Sequence, residues 1–163
     1  PRSLEDCDLA ISREPNFAKP YQTRALLFLW QNRFPEALAD ANTYIRLKPD
    51  SYLGYSIRGI AYYRLNRPKE AVDDFTASLR LNPEDDVSLN YRGSALFNTF
   101  QKYDEALADF NRAISIKPQG NYYLNRSHCH YMLGDLARAR SDVDSASLLG
   151  EMIPEEYRKM LNP

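Results

Sequence analysis

Apolar positions along the chain recur with a helical rhythm. Over residues 52–65, Tyr55, Gly59 and Tyr62 return at spacings of four and three, which puts them on one face of a helix. Over residues 69–81, Ala71, Phe75, Ser78 and Leu79 do the same. The stretch from Asn66 to Pro68 separates the two, and Pro68 stands at a helix start, where its missing N–H costs nothing. Pro83 ends the second helix, because a residue before proline avoids the helical region. A turn this short predicts an antiparallel pair. Gly59 and Ala71 are small enough for the two helices to approach closely, with Tyr55, Tyr62 and Phe75 filling the space around them.

The same phrase is written three times. Residues 30–49 read WQNRFPEALADANTYIRLKP, residues 64–83 RLNRPKEAVDDFTASLRLNP, and residues 99–118 TFQKYDEALADFNRAISIKP. Pro15, Pro49, Pro83 and Pro118 are 34, 34 and 35 residues apart; Arg24, Arg58, Arg92 and Arg126 are 34 apart each time. Ala37, Ala71, Ala106 and Ala139 step by 34, 35 and 33, so one extra residue falls in the turn from Thr99 to Lys102. Insertions are tolerated in such turns. One helix pair cannot bury its own apolar face, so neighbouring pairs must stack on it. The expected organisation is a single array: a half repeat holding only a second helix (1–17), full repeats over 18–51, 52–85, 86–119 and 120–153, and a terminal half repeat or capping helix (154–163).

This period and slot pattern resemble the tetratricopeptide repeat. The matching residues in the second full repeat are Tyr55 in the large aromatic slot, Gly59 in the small one, Tyr62, Ala71, Phe75 and the closing Pro83. The first full repeat departs with Ala25 for the glycine and Ala41 for the aromatic, and the last with Ser127, His130 and Val143. The pentatricopeptide repeat has a similar length, but this slot pattern and the near-neutral charge argue against it. The resemblance implies an all-α fold, a right-handed superhelical solenoid of antiparallel helix pairs, with ligands lying in a concave groove lined by the first helix of each pair.

Carried over residue by residue, the implied peptide-binding groove comprises Gln22, Thr23, Leu26 and Trp30 in the first full repeat, and Leu53, Ser56, Ile57, Ile60, Tyr63 and Arg64 in the second. The third contributes Asn90, Tyr91, Ser94 and Phe97, and the fourth Asn125, His128 and Tyr131; Lys19, Val87 and Met132 fall on the same face. Lys19 and Arg64 are its only charges, and most of the rest is apolar or aromatic. Exposed apolar strips of this size mark interaction surfaces. For the column of Leu29, Tyr63, Phe97 and Tyr131, packing between neighbouring repeats is the alternative to facing a ligand. The family's grip on the C-terminal carboxylate of chaperones uses lysines, arginine and asparagines; the corresponding places hold Gln22, Leu26, Ile57, Val87 and Tyr91, with only Asn125 fitting, so that clamp is not expected. Asn90 and Asn125 are instead candidates to hydrogen-bond the main chain of an extended peptide, and a helical ligand is an equal alternative.

Composition narrows the functional classes. The content of 26% charged and 44% hydrophobic residues is that of a folded protein. A formal net charge of −1 supplies no basic field for nucleic acid or an anionic membrane, and no apolar run approaches a membrane span. Nothing resembles a signal peptide, though the chain lacks an initiator Met, and a cytoplasmic location is expected. Cys7 and Cys129 have no metal-type spacing and are expected to be small core residues.

Two constellations invite a chemical reading. Asp6, Asp40, Asp74, Asp109 and Asp142 recur on the second helices opposite the arginine series; ion pairs that set the angle between helices are expected, each weak if exposed. In His128, Cys129 and His130 consecutive side chains diverge along a helix, so no metal site is expected; His130 takes the slot of Phe28 and Tyr62 and so reads as a core residue. Phosphate loops, nucleophile elbows and paired acid–base carboxylates are absent from the sequence. The expectation is a non-enzymatic protein–protein interaction scaffold without a cofactor, binding an uncharged or apolar peptide or helix. The alternatives are a self-assembling module joined head-to-tail through its half repeats, and a regulatory segment of a larger enzyme.

Overall fold

The computed structural model describes residues 3–162 and contains ten helices, with no strand among the described residues. The chain divides into two compact units, the first running to Pro83 and the second starting at Glu84. Unit one holds α1 (Leu4–Arg13), α2 (Ala18–Trp30), α3 (Phe34–Leu47), α4 (Tyr52–Arg64) and α5 (Pro68–Leu81). Unit two holds α6 (Asp86–Asn98), α7 (Tyr103–Ile116), α8 (Gly120–Met132), α9 (Leu136–Leu148) and α10 (Glu155–Leu161).

Each turn inside a helix pair is built the same way. The first helix ends in a residue with a left-handed backbone: Asn32 (φ 57°), Asn66 (φ 57°), Gln101 (φ 52°) and Gly134 (φ 80°). Asparagine and glycine tolerate this conformation best. The next amide then reaches back to the last turn of the helix: Arg33 N–H donates to Phe28 O (2.8 Å), Arg67 to Tyr62 O (2.9 Å) and Asp135 to His130 O (2.8 Å). In α6–α7 the same bond, Lys102 N–H to Leu96 O (3.0 Å), spans one more residue, which is where the inserted residue is absorbed. Pro35 and Pro68 then sit in the first turn of α3 and α5.

Packing within a pair is a trade of volume between two facing positions. A Cβ on Gly59 would lie 2.7 Å from Phe75 Cε1, and one on Gly93 would lie 2.8 Å from Phe110 Cε1, so each glycine exists to admit a ring. Where the small slot is filled, the aromatic shrinks. Ser127 faces a helix carrying Val143, and its hydroxyl donates to Ala139 O (2.9 Å). Ala25 is opposed by Ala41, and the room left there is taken by Ile57 of α4, which packs with both. The departures from the repeat pattern are thus matched pairs.

Unit two ends in α10, which lays Tyr157 and Leu161 onto Ala139 and Val143 of α9. Arg140 Nε donates to Leu161 O (2.6 Å), Arg158 Nη2 donates to Ser147 Oγ (2.7 Å), and the Tyr157 and Ser127 hydroxyls share a bond of 2.8 Å. Cys7 and Cys129 are both buried, and burial pushes the Cys129 thiol up to about 12, which makes it unreactive at neutral pH. No helix among the described residues is long and apolar enough to cross a membrane.

Candidate binding surface

The first helices present the polar and apolar positions singled out in the sequence, but they treat them unequally. In unit one, Leu26 (40% exposed) and Trp30 (84%) stand open on α2, while Thr23, Leu53, Ile60 and Tyr63 are half-buried and Arg64 is exposed. Arg64 lies over the Phe34 ring, 5.4 Å from its centroid. Gln22 and Ser56 are buried; Gln22 accepts a hydrogen bond from Lys19 Nζ at 2.8 Å.

Ile57 is corrected from ligand-facing to core. It is 3% exposed and packs against Ala25 and Ala41, because the aromatic absent at position 41 leaves a hole that Ile57 fills. A ligand on this face cannot reach it. The signal was available in the sequence, as a small residue in an aromatic slot next to a branched one on the following helix.

In unit two a polar pair and an aromatic row lie along the first helices. Asn125 Nδ2 donates to Asn90 Oδ1 (2.9 Å) and reaches Ser94 Oγ at 3.5 Å, while Ser94 Oγ donates to Asn90 O (2.9 Å). Asn90 is buried, so of the two amides only the half-buried Asn125 is within reach of a ligand. Tyr91 is half-buried. The aromatic row is Phe97, His128, Tyr157 and Tyr131, with centroids 6.4 Å apart for Phe97–His128, 4.4 Å for His128–Tyr157 and 6.0 Å for Tyr131–Tyr157. Tyr157 of α10 is the member that sequence reading left out, and it covers part of His128 and Tyr131. Leu29, Phe97 and Tyr131 each pack against a core cluster, the alternative to facing a ligand that was open for that column.

The arginine and aspartate series forms one repeated clamp. Arg58 donates from Nε to Asp74 Oδ2 and from Nη2 to Asp74 Oδ1, both at 2.7 Å; Arg24–Asp40, Arg92–Asp109 and Arg126–Asp142 are built alike. The third nitrogen, Nη1, turns to the preceding second helix, meeting Asp8 from Arg24, Asn42 from Arg58 and Asn111 from Arg126. One guanidinium thereby ties its own pair to the previous one. These four carboxylates are buried, and the hydrogen bonds from the paired aspartates raise the pKa of each arginine above its ordinary value. Asp6 stands apart: it completes a capping box with Ser3 at the start of α1.

His130 is buried and His128 half-buried, and burial lowers the pKa of both, so they are neutral at physiological pH. Among the described residues no three His, Cys, Asp or Glu side chains gather as a metal ion would need.

The model of the tetratricopeptide repeat family matches residues 23–86 and 58–121. The chain belongs to that family. Among solved structures, MamA shares 17% identity with a TM-score of 0.77, covering 96% of this chain and 88% of its own. YrrB, described as a TPR protein with an unusual peptide-binding site, shares 19% with a TM-score of 0.70, covering 97% and 78%. The first TPR of Spaghetti (RPAP3), bound to the HSP90 peptide SRMEEVD, shares 22% with a TM-score of 0.68, covering 72% and 93%. These likenesses carry the fold: a tetratricopeptide-repeat solenoid. No curated protein matches the chain.

Proposed function

We propose that the protein is a non-enzymatic scaffold whose first helices hold a largely uncharged peptide or helix. The observation that carries this reading is the face of α2 and α4, where Leu26 and Trp30 stand in solvent beside half-buried Leu53 and Ile60 with no carboxylate among them. Leaving such a strip in water is unfavourable unless a partner covers it. In unit two, Asn125 keeps its Oδ1 for a ligand N–H while its Nδ2 holds Asn90, and Val87 and Met132 add exposed apolar area on α6 and α8. Peptide binding by YrrB and Spaghetti supports the reading at the level of the family. The acidic ending of the Spaghetti ligand does not transfer, because Leu26, Val87 and Tyr91 stand where that clamp needs cations or amides. Self-association through half repeats is less favoured: α10 already spends Tyr157 and Leu161 on its own unit.

Leu26→Asp and Trp30→Ala test the proposal. Wild type and each variant are compared in pull-down, and the captured peptide is identified and titrated. Binding at least tenfold weaker with unchanged circular dichroism is expected; equal affinity for all three proteins rejects this face.

A further inference from the structure

Unit one has a hollow where the α1–α2 loop meets the end of α3 and the α3–α4 loop. It is open to solvent, has a volume of about 610 Å³ and is lined by Phe17, Lys19, Tyr44, Leu47, Lys48 and Asp50, among others. That volume lies within the range of small-molecule sites, roughly 300–1,000 Å³.

Three features mark this place. Phe17 occupies the residue before α2, the N-cap; the same position holds Ser51, Asp85 and Gln119 before α4, α6 and α8. A phenylalanine there cannot accept from the free helix amides, and no side chain caps α2, as none caps α4, α6 or α8. Its ring is nevertheless 52% exposed at the rim of the cavity. An exposed ring at this rim offers apolar area that a ligand can cover. Tyr44 stands where α5, α7 and α9 carry Ser78, Ala113 and Ala146, and its hydroxyl is shared with Ser51 Oγ at 3.0 Å, so its ring forms a fixed wall. Lys48 has no ion-pair partner among the described residues, and Lys19 is held only by neutral Gln22, so two ammonium groups line the cavity against one carboxylate, that of Asp50.

We propose that this cavity is a site for a small amphipathic anion: an aromatic or branched aliphatic body between Phe17, Tyr44 and Leu47, with one carboxylate drawn to Lys19 and Lys48. The apolar walls supply affinity through buried area, and the unpaired ammonium groups select the anion. Of these residues only Lys19 also falls on the peptide face proposed above, and Leu26 and Trp30, which carry that reading, do not line this hollow.

The test titrates ¹⁵N-labelled protein with naphthalene-2-carboxylate, with its uncharged amide, and with acetate. The acid is expected to shift amides around Phe17, Leu47 and Lys48, the amide to bind at least fivefold more weakly, and acetate to produce no localised shifts. Phe17→Ser places at this N-cap the residue found before α4; it is expected to melt no lower than wild type and to bind the acid at least tenfold more weakly. Lys48→Gln is expected to reduce the preference for acid over amide. Equal binding of acid and amide, shifts that map elsewhere, or undiminished binding by Phe17→Ser would overturn the proposal.

Discussion

Gly59 leaves no room for a methyl group beneath the ring of Phe75, since a Cβ there would stand 2.7 Å and 2.9 Å from two ring carbons. Phe75 is fully buried, so the ring cannot swing away into solvent. Gly59→Ala is therefore expected to lower stability by about 1–3 kcal/mol through overpacking, even though alanine is the better helix former. Phe75→Leu added to it should recover part of the loss, as Val143 does opposite Ser127. Chemical denaturation of the two single variants and the double variant checks this; additive losses would show that the two positions do not share volume.

Arg58 and Asp74 are joined by two parallel hydrogen bonds, and Asp74 is buried. Removing one partner strands the other without water. Asp74→Ala is expected to cost on the order of 3 kcal/mol, the range for breaking a buried pair. Arg58→Lys keeps the charge but not the planar fork, and loses the arm to Asn42, so it should fall between wild type and Asp74→Ala. Urea unfolding of both variants measures the order, and a Lys variant as stable as wild type would mean that charge alone matters here.

The helix pairs were legible because period and punctuation act locally: the apolar rhythm, the prolines and the turn asparagines each specify their own segment. The four clamps were legible as a series but not as buried bidentate pairs, since burial depends on how helices pack rather than on residue spacing. The inner surface was read least well. Gln22, Ile57 and Asn90 share a helical register with exposed positions, yet neighbouring helices cover them. A helical wheel gives direction, and only the size of the facing residues decides depth.

Ile57 and Leu26 accordingly separate folding from binding. Ile57→Asp puts a charge among Ala25, Ala41 and Leu29, so it is expected to unfold unit one, with a loss of several kcal/mol. Leu26→Asp lies on the open face and should change stability by no more than about 0.5 kcal/mol. Thermal melts of the two variants check this. A stable Ile57→Asp protein would return position 57 to the binding face.

Acid should weaken unit two through His130. Burial depresses the pKa of this residue in the folded protein, although the facing groups are mixed: Asp142 and Asp135 oppose the shift, and Arg126 and Arg138 reinforce it. Above the unfolded value of about 6.5, neither state carries the proton and His130 contributes nothing to the pH dependence. As pH falls below that value the unfolded chain takes up the proton first, so stability declines until the folded pKa is passed. Phe28 occupies the same slot in the first full repeat and Tyr62 in the second, so the repeat accommodates a larger ring there. His130→Phe should therefore fold, and should lose less stability than wild type between about pH 7 and pH 5. Hydrogen exchange of the α8 and α9 amides across that interval measures the difference. Parallel pH profiles for the two proteins would assign the acid sensitivity to other groups, half-buried His128 first among them, since burial lowers its pKa as well.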